Sequence, residues 1–192
     1  MPEAVLEQLG LLAISFIANT LSSLAGGGAG LLQLPVLIFL GLAFPTALAT
    51  HKIASVALGL GATLRHLRAE PINWRFAGFI LMAGLPGVWL GTQIILQIPE
   101  AWARAALGVL TLGLGAYSMA RPKLGKVPSV PPTARFGLRI GGGVLFGIGV
   151  LNGSLTSGTG LFVTIWLVRW FGLDYTRAVT YTLILVGLFW NG

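Results

Sequence analysis

The chain has 192 residues, 55% of them hydrophobic and 9% charged, with 28 glycines, no cysteine and a net charge of +7; its mean hydropathy is +0.87. Soluble domains carry about 25% charged residues, so the fold class expected is an all-α polytopic membrane protein, without a disulfide framework or a thiolate metal site. The positive charge does not imply nucleic acid, which needs basic residues clustered on one soluble face; in a membrane chain basic residues fix orientation.

The N-terminus, Met1-Pro2-Glu3 followed by Glu7, lacks the basic start and cleavage site of a signal peptide, so the first helix is expected to be retained. No Asp, Glu, Lys or Arg occurs from Leu9 to Thr50. That apolar run is too long for one spanning helix of about 20 residues and too short for two. It therefore reads as a helix over Val5–Leu24, a break at Gly26–Gly30 and a short helix over Leu31–Leu40. Glycine-rich backbone at membrane depth is tolerated only where it is buried in protein or lines a cavity. Asn19, Ser22 and Ser23 near the end of the first helix can satisfy a neighbour or touch a ligand.

After a turn at Gly41–Thr46, a third helix is expected over Ala47–Leu64, with His51 and Lys52 in its first turns. A basic loop, Arg65–Pro71, leads to Trp74 and Arg75 at interface depth. A fourth helix spans Phe76–Leu96, with Gly87-xxx-Gly91 as a packing face, and a fifth Trp102–Ala120. Arg121–Arg139 holds four prolines, five cations and no acid; it reads as a cytoplasmic linker. A sixth helix runs to about Leu151. A second break follows, Asn152–Gly160, then a short helix over Leu161–Phe171 and another helix from about Thr176.

The two breaks are related. A shift of 130 pairs Gly28 with Gly158, Gly30 with Gly160 and Leu31 with Leu161; one inserted residue later, Gly41 pairs with Gly172 and Ala47 with Ala178. The expected organisation is a first transmembrane repeat over 1–120, the linker over 121–139 and a second repeat over 140–192. Each repeat has a helix broken at a Gly-rich segment and a short half-helix. Corresponding interrupted segments in two halves point to a transporter's binding site. Two topologies are open. In one, Arg65–Arg75, the linker, Arg169 and Arg177 all lie inside and the repeats are inverted; in the other the repeats are parallel and Arg169 and Arg177 lie outside. The positive-inside rule favours inversion. Because the second repeat stops within its third helix, the chain reads as C-terminally incomplete, with two further helices expected.

The segment AGGGAGLLQLPVLIFLGLAFPTALATHK resembles the signature of the TauE/SafE sulfite exporter family. It has the glycine cluster Gly26–Gly30, the Leu34-Pro35 step, the Leu42–Pro45 turn, Ala47–Thr50 and Lys52. Ile72-Asn73-Trp74-Arg75 also resembles the family. The second repeat departs from the pattern, with Ile165 in place of the proline and Tyr181 in place of the threonine, and His51 stands where members often have Asn. The resemblance implies a secondary transporter in the bacterial inner membrane for a small anion such as sulfite, an organosulfonate or a related sulfur compound. It also brings Thr50 into the candidate site. The alternative is an anion channel or a permease for an unrelated small solute.

Competing classes fit poorly. The glycine runs match neither dinucleotide nor Walker spacing, and an enzyme would need a constellation of His, Cys or carboxylates that the spans lack. The site expected from the residues is built on helix ends. Short helices starting at Gly26, Gly27, Gly28 and Gly30 and at Gly158 and Gly160 present unpaired N–H groups and a partial positive charge to an anion. Asn152, Ser154, Thr156, Ser157 and Thr159 add polar groups. Lys52 either meets the substrate or snorkels outward. The partners expected are a small anionic solute and membrane lipid, with no nucleic acid, metal or cofactor; a homo-oligomer is left open.

Overall fold

Apolar stretches in lipid fold as helices because only a helix satisfies every backbone group within its own segment. The computed structural model describes residues 2–25, 27–66, 72–120 and 135–192, apart from the side chains of 2–7, 24, 25, 66, 118, 135 and 136. The helices are α1 (Pro2–Ala25), α2 (Gly30–Phe39), α3 (Phe44–His66), α4 (Trp74–Ile95), α5 (Glu100–Ala120), α6 (Arg135–Ser154), α7 (Thr159–Phe171) and α8 (Tyr175–Tyr181). From Thr182 to Trp190 α8 widens into a π-helical run, which the sequence reading did not anticipate. Gly26, most of the basic loop and residues 121–134 lie outside the described residues; α6 already begins at Arg135, three residues past the last proline of the expected linker.

Phe44–Arg65 and Trp74–Ile95 are predominantly apolar segments of 22 residues each, about 33 Å of helix and enough to cross a hydrocarbon core. Their outward side chains are large and apolar, as are those of the neighbouring helices: Phe39 is 92% and Met82 81% exposed. A surface of that kind suits lipid rather than water.

Asn73 explains the Ile72–Arg75 motif. Its side chain accepts the Arg75 and Phe76 amides at 3.1 and 3.2 Å and so caps α4. Its own N–H donates to the Tyr181 hydroxyl at 2.9 Å. Phe76 lies 5.2 Å from Phe171 and 5.4 Å from Tyr181, ring centre to ring centre. Trp170 Nε1 donates to the Gly137 carbonyl at 2.9 Å. These contacts gather the start of α4, the start of α6, the end of α7 and α8, and with them Arg75, Arg139, Arg169 and Arg177, at one end of the bundle. At the other end Glu100 Oε1 accepts the Phe44 amide at 2.6 Å and Arg104 Nη2 at 2.7 Å. The Phe44 N–H, and then Arg104, hold the Glu100 carboxyl below its ordinary range.

Two antiparallel hairpins occupy the middle. In the first, α2 folds back on α1, with Gln33 bonded to Ser15 and Asn19 and Leu11 packed on the cluster of Leu34 and Leu37. In the second, α7 folds back on α6. Gly28 and Gly158 both take positive φ (96° and 70°), as do Gly41 and Gly172 (93° and 69°). The paired glycines of the sequence thus mark equivalent turns. From its tip, α2 runs toward the Glu100 end; α7 runs toward the arginine end.

The hairpins are joined to the rest by glycine seams. Along α4 and α6, Gly87 faces the Phe146 carbonyl, Gly91 that of Val150, Gly149 that of Gly84 and Gly153 that of Val88, so closely that a Cβ at any of the four would collide with backbone. The Gly87-xxx-Gly91 face expected from sequence is therefore half of a two-sided seam. Gly59 of α3 meets Gly187 of the π run in the same way, where an added Cβ would lie 2.6 Å from the Leu188 nitrogen. Gly153→Val is expected to cost at least about 1–3 kcal/mol by overpacking the seam. Gly113→Ala, with nothing within 4 Å of the new methyl, should be neutral or stabilising by up to about 1 kcal/mol. Thermal unfolding of both purified variants in detergent checks the contrast.

Candidate functional site

A break in a buried helix exposes amides and carbonyls that need cover, and here each hairpin tip covers the other. A Cβ on Gly27 would lie 2.8 Å from the Gly160 carbonyl carbon and 3.1 Å from the Leu161 nitrogen; one on Gly30 would lie 2.9 Å from both the Ser157 Cα and His51 Nε2. Beside this crossing is a cavity of about 40 Å³, lined by Ser22 and Gly27–Gly30 from the first tip, Thr156, Thr159 and Gly160 from the second, His51 and Ser55 from α3, and Thr182, Gly187 and Asn191 from the last segment. Since one water needs roughly 10–15 Å³ on this measure, there is room for a few waters or one small polyatomic ion. No carboxylate lines it.

The two tips differ in their hydrogen bonding. In the first, Ser22 Oγ accepts the Ala29 amide at 3.0 Å, and the Leu31 and Leu32 amides bond back to the Gly28 and Ala29 carbonyls. Most amides of that helix end are thereby used. In the second, the first α-type bond runs from Phe162 to the Gly158 carbonyl, so Thr159, Gly160 and Leu161 have no carbonyl of their own helix to bond. Gly158 caps α7 in the left-handed region. Thr156 also sits there, at φ 57°, an unusual conformation for a β-branched residue and of a kind that gathers at functional sites.

Most of the expected hydroxyl donors are already engaged. Thr156 Oγ1 donates to the Asn152 carbonyl at 2.6 Å. Thr159 Oγ1 lies 2.6 Å from Asn152 Oδ1 and 2.8 Å from the Thr156 carbonyl. Ser154 Oγ bonds back to Val150 at 2.9 Å. Asn152 is a fully buried hub that also donates to Asn191 Oδ1 at 2.9 Å. Ser157 is different: it is fully buried and its Oγ finds no partner among the described residues. Ser22 and Thr182 accept hydrogen bonds, from the Ala29 amide and the Thr164 hydroxyl, which leaves their own hydrogens for the cavity.

Of the residues expected from sequence, Gly27, Gly28, Gly30, Thr156, Thr159 and Gly160 line the cavity. Asn152, Ser157 and Gly158 form the frame behind it, and Gly26 is outside the described residues. Ser154 faces its own helix. Thr50 donates to the Thr46 carbonyl at 2.9 Å and Lys52 is half-buried; neither lines the cavity. His51, the residue next to Lys52, does. Sequence reasoning missed His51, Ser55, Thr182 and Asn191 as lining. The i, i+4 spacing of His51 and Ser55 puts both on one helix face, a signal that was present in the sequence.

The fold and the cavity find their context in known proteins. Residues 11–191 match the family model described as Sulfite exporter TauE/SafE. The chain belongs to this family. It is 30% identical over 181 residues to a probable membrane transporter protein of Haemophilus influenzae, an alignment that covers 91% of this chain and 68% of that protein. It is 28% identical over 116 residues to the probable membrane transporter protein YfcA of Escherichia coli K12, covering 60% of this chain and 43% of that one. A probable membrane transporter protein of Sinorhizobium sp, ORF9, is 26% identical over 172 residues, with coverage of 90% and 65%. The matched region thus spans between 43% and 68% of these relatives' lengths. No solved structure matches the chain. As a member of the TauE/SafE family the chain is a membrane protein of a transporter class.

Asn152→Leu, which keeps the branched shape but is bulkier and lacks the amide, removes the Asn152 bonds to Thr159 and Asn191. A loss of about 1–3 kcal/mol is expected. Thr50→Val at the rim should change stability by less than about 0.5 kcal/mol. Equal shifts of the unfolding midpoint in the two variants would refute this division between hub and rim.

Proposed function

We propose that this chain forms the anion-binding core of a secondary transporter that moves a small anion, sulfite or an organosulfonate being the leading class, across the bacterial inner membrane. The observation that carries the reading is the crossing of the two hairpin tips beside a buried polar cavity without a carboxylate. The partial positive charge of the α7 N-terminus, with Thr159 and Gly160 on the cavity wall, favours an anion there. Discontinuous helices meeting near mid-depth are the arrangement by which many secondary transporters hold substrate. Membership of the sulfite exporter TauE/SafE family supports both the transporter class and the sulfur anion.

The topology that fits this reading is multi-pass with inverted repeats. The hairpins approach from opposite ends, and Arg75, Arg139, Arg169 and Arg177 share one end, which the positive-inside rule makes cytoplasmic. The chain has no cysteine, so introduced thiols report cleanly. A membrane-impermeant thiol reagent added outside should label Glu100→Cys and spare Arg177→Cys. Labelling of Arg177→Cys from outside would require parallel repeats instead.

Gly30→Ala places a methyl 2.9 Å from His51 Nε2 and the Ser157 Cα, within the cavity wall. In proteoliposomes, wild-type protein should show saturable counterflow of labelled sulfite or a sulfonate, which a channel would not. Gly30→Ala should lower that flux at least tenfold while still inserting and resisting protease. Normal counterflow in Gly30→Ala would remove the crossing as the anion site.

A further inference from the structure

His51 is 2% exposed and lies on the cavity wall, and its hydrogen bonds determine which ring nitrogen carries the proton. The Ser15 backbone carbonyl can only accept. Asn19 Nδ2 donates to it at 2.8 Å, so the Asn19 amide is oriented. The same nitrogen donates to Gln33 Oε1 at 3.2 Å, and Gln33 Nε2 donates to Ser15 Oγ at 2.7 Å. Gln33 Oε1 is thereby fixed as an acceptor facing His51 Nδ1 at 2.8 Å. Nδ1 must carry the hydrogen, and in the neutral ring Nε2 is an acceptor, met only by a long, weak bond from the Ser55 hydroxyl. Nε2 has Ser55 Oγ at 3.4 Å and the hydrogen-only face of Gly30 beside it.

A lone pair on the wall of an anion cavity repels the occupant unless a proton sits between them. We infer that His51 Nε2 takes up one proton for each anion bound, so that the transported unit is an anion together with a proton. The inference deepens the anion-transport reading and rests on it. On the loading side hydronium gives its proton to Nε2 and leaves water; on the release side the imidazolium returns it to water as the anion departs. The fully protonated ring then donates from Nδ1 to Gln33 and from Nε2 to the anion.

Among the described residues no other group offers itself for this role. α1 from Gln8 to Ser23, α2, the 152–160 break and the π run contain no Asp, Glu, Lys, Arg or Tyr. Glu100 and Arg104 of α5 pair with each other at the far end of the bundle. Arg75, Arg139, Arg169, Arg177 and Asp174 stand at the arginine end. Tyr181 there donates from or accepts at the Asn73 backbone. Lys52 is off the cavity lining. A groove of about 920 Å³ between α1, α3 and α8, with Arg65 and Tyr175 among its walls, shares Leu58 and Leu183 with the cavity.

The test is calorimetric binding of methanesulfonate, whose charge is fixed across the neutral range, to the purified full chain in detergent. Titrations in buffers of different ionisation enthalpy, at pH about 6 to 8, count the protons taken up. Wild-type protein is expected to take up close to one proton per anion above the His51 midpoint, with affinity falling about tenfold per pH unit there. His51→Gln should bind without proton uptake. Gln33→Glu, which keeps an acceptor for Nδ1 and adds a negative charge, should move the midpoint to higher pH; it serves as the probe if His51→Gln does not fold. Binding by wild-type protein without proton uptake, or unchanged uptake in His51→Gln, would overturn the inference and leave anion transport standing. Absence of binding by both methanesulfonate and sulfite at every pH would remove both readings.

Discussion

The structure depends on the need of interrupted helices, in a solvent that offers no hydrogen bonds, to cover their exposed backbone with one another. Two short helices begin inside the bundle, and neither tip would be tolerable alone. Gly27 against Gly160 is the point where the requirement is met. A side chain on either residue would part the tips and admit lipid or leave polar groups uncovered. The arrangement of the outer helices follows from it. α6 must stand where its tip reaches the first tip, and the backbone seam with α4 holds it there. α3 and the π run, joined at Gly59 and Gly187, close the third side of the cavity.

Within that shared cover the tips have different chemistry. The first is nearly self-sufficient, through Ser22 and the Gly28 and Ala29 carbonyls. The second begins its own helical bonding only at Phe162, and its Ser157 hydroxyl has no partner among the described residues. An anion in the cavity would therefore be held mainly from the α7 side, with the α2 side contributing shape and the Ser22 hydroxyl. The two tips are thus unlike in chemistry although their glycine turns are alike.

Much of this was legible in the chain because the constraints are local. Hydropathy marked the helices, and glycines marked the turns; Gly28 with Gly158 and Gly41 with Gly172 do adopt matching left-handed geometry. The Gly87-xxx-Gly91 face was readable because close packing needs small residues at fixed spacing. What stayed hidden depends on neighbours distant in sequence. Lys52 stood out as a charge, yet one residue along a helix is about 100° around it, and the cavity takes His51 instead. The expected hydroxyl donors Thr156 and Thr159 face Asn152, a pairing created by the tight turn and not by spacing. The π run Thr182–Trp190 carries no sequence mark, since its width is set by packing against α3.

The self-sufficiency of the first tip also bears on how the protein is made. Gly27 and Gly160 are 133 residues apart, and synthesis at about 5–20 residues per second separates them by roughly 7–27 s. For most of that interval the α1–α2 hairpin has been synthesised and the segment that will cover it has not. A tip with open amides would spend those seconds seeking other partners, in lipid headgroups or in neighbouring chains. The hairpin that emerges first is the one whose amides are already closed by Ser22 and its own carbonyls, and the open tip is the one that emerges when its cover is in place.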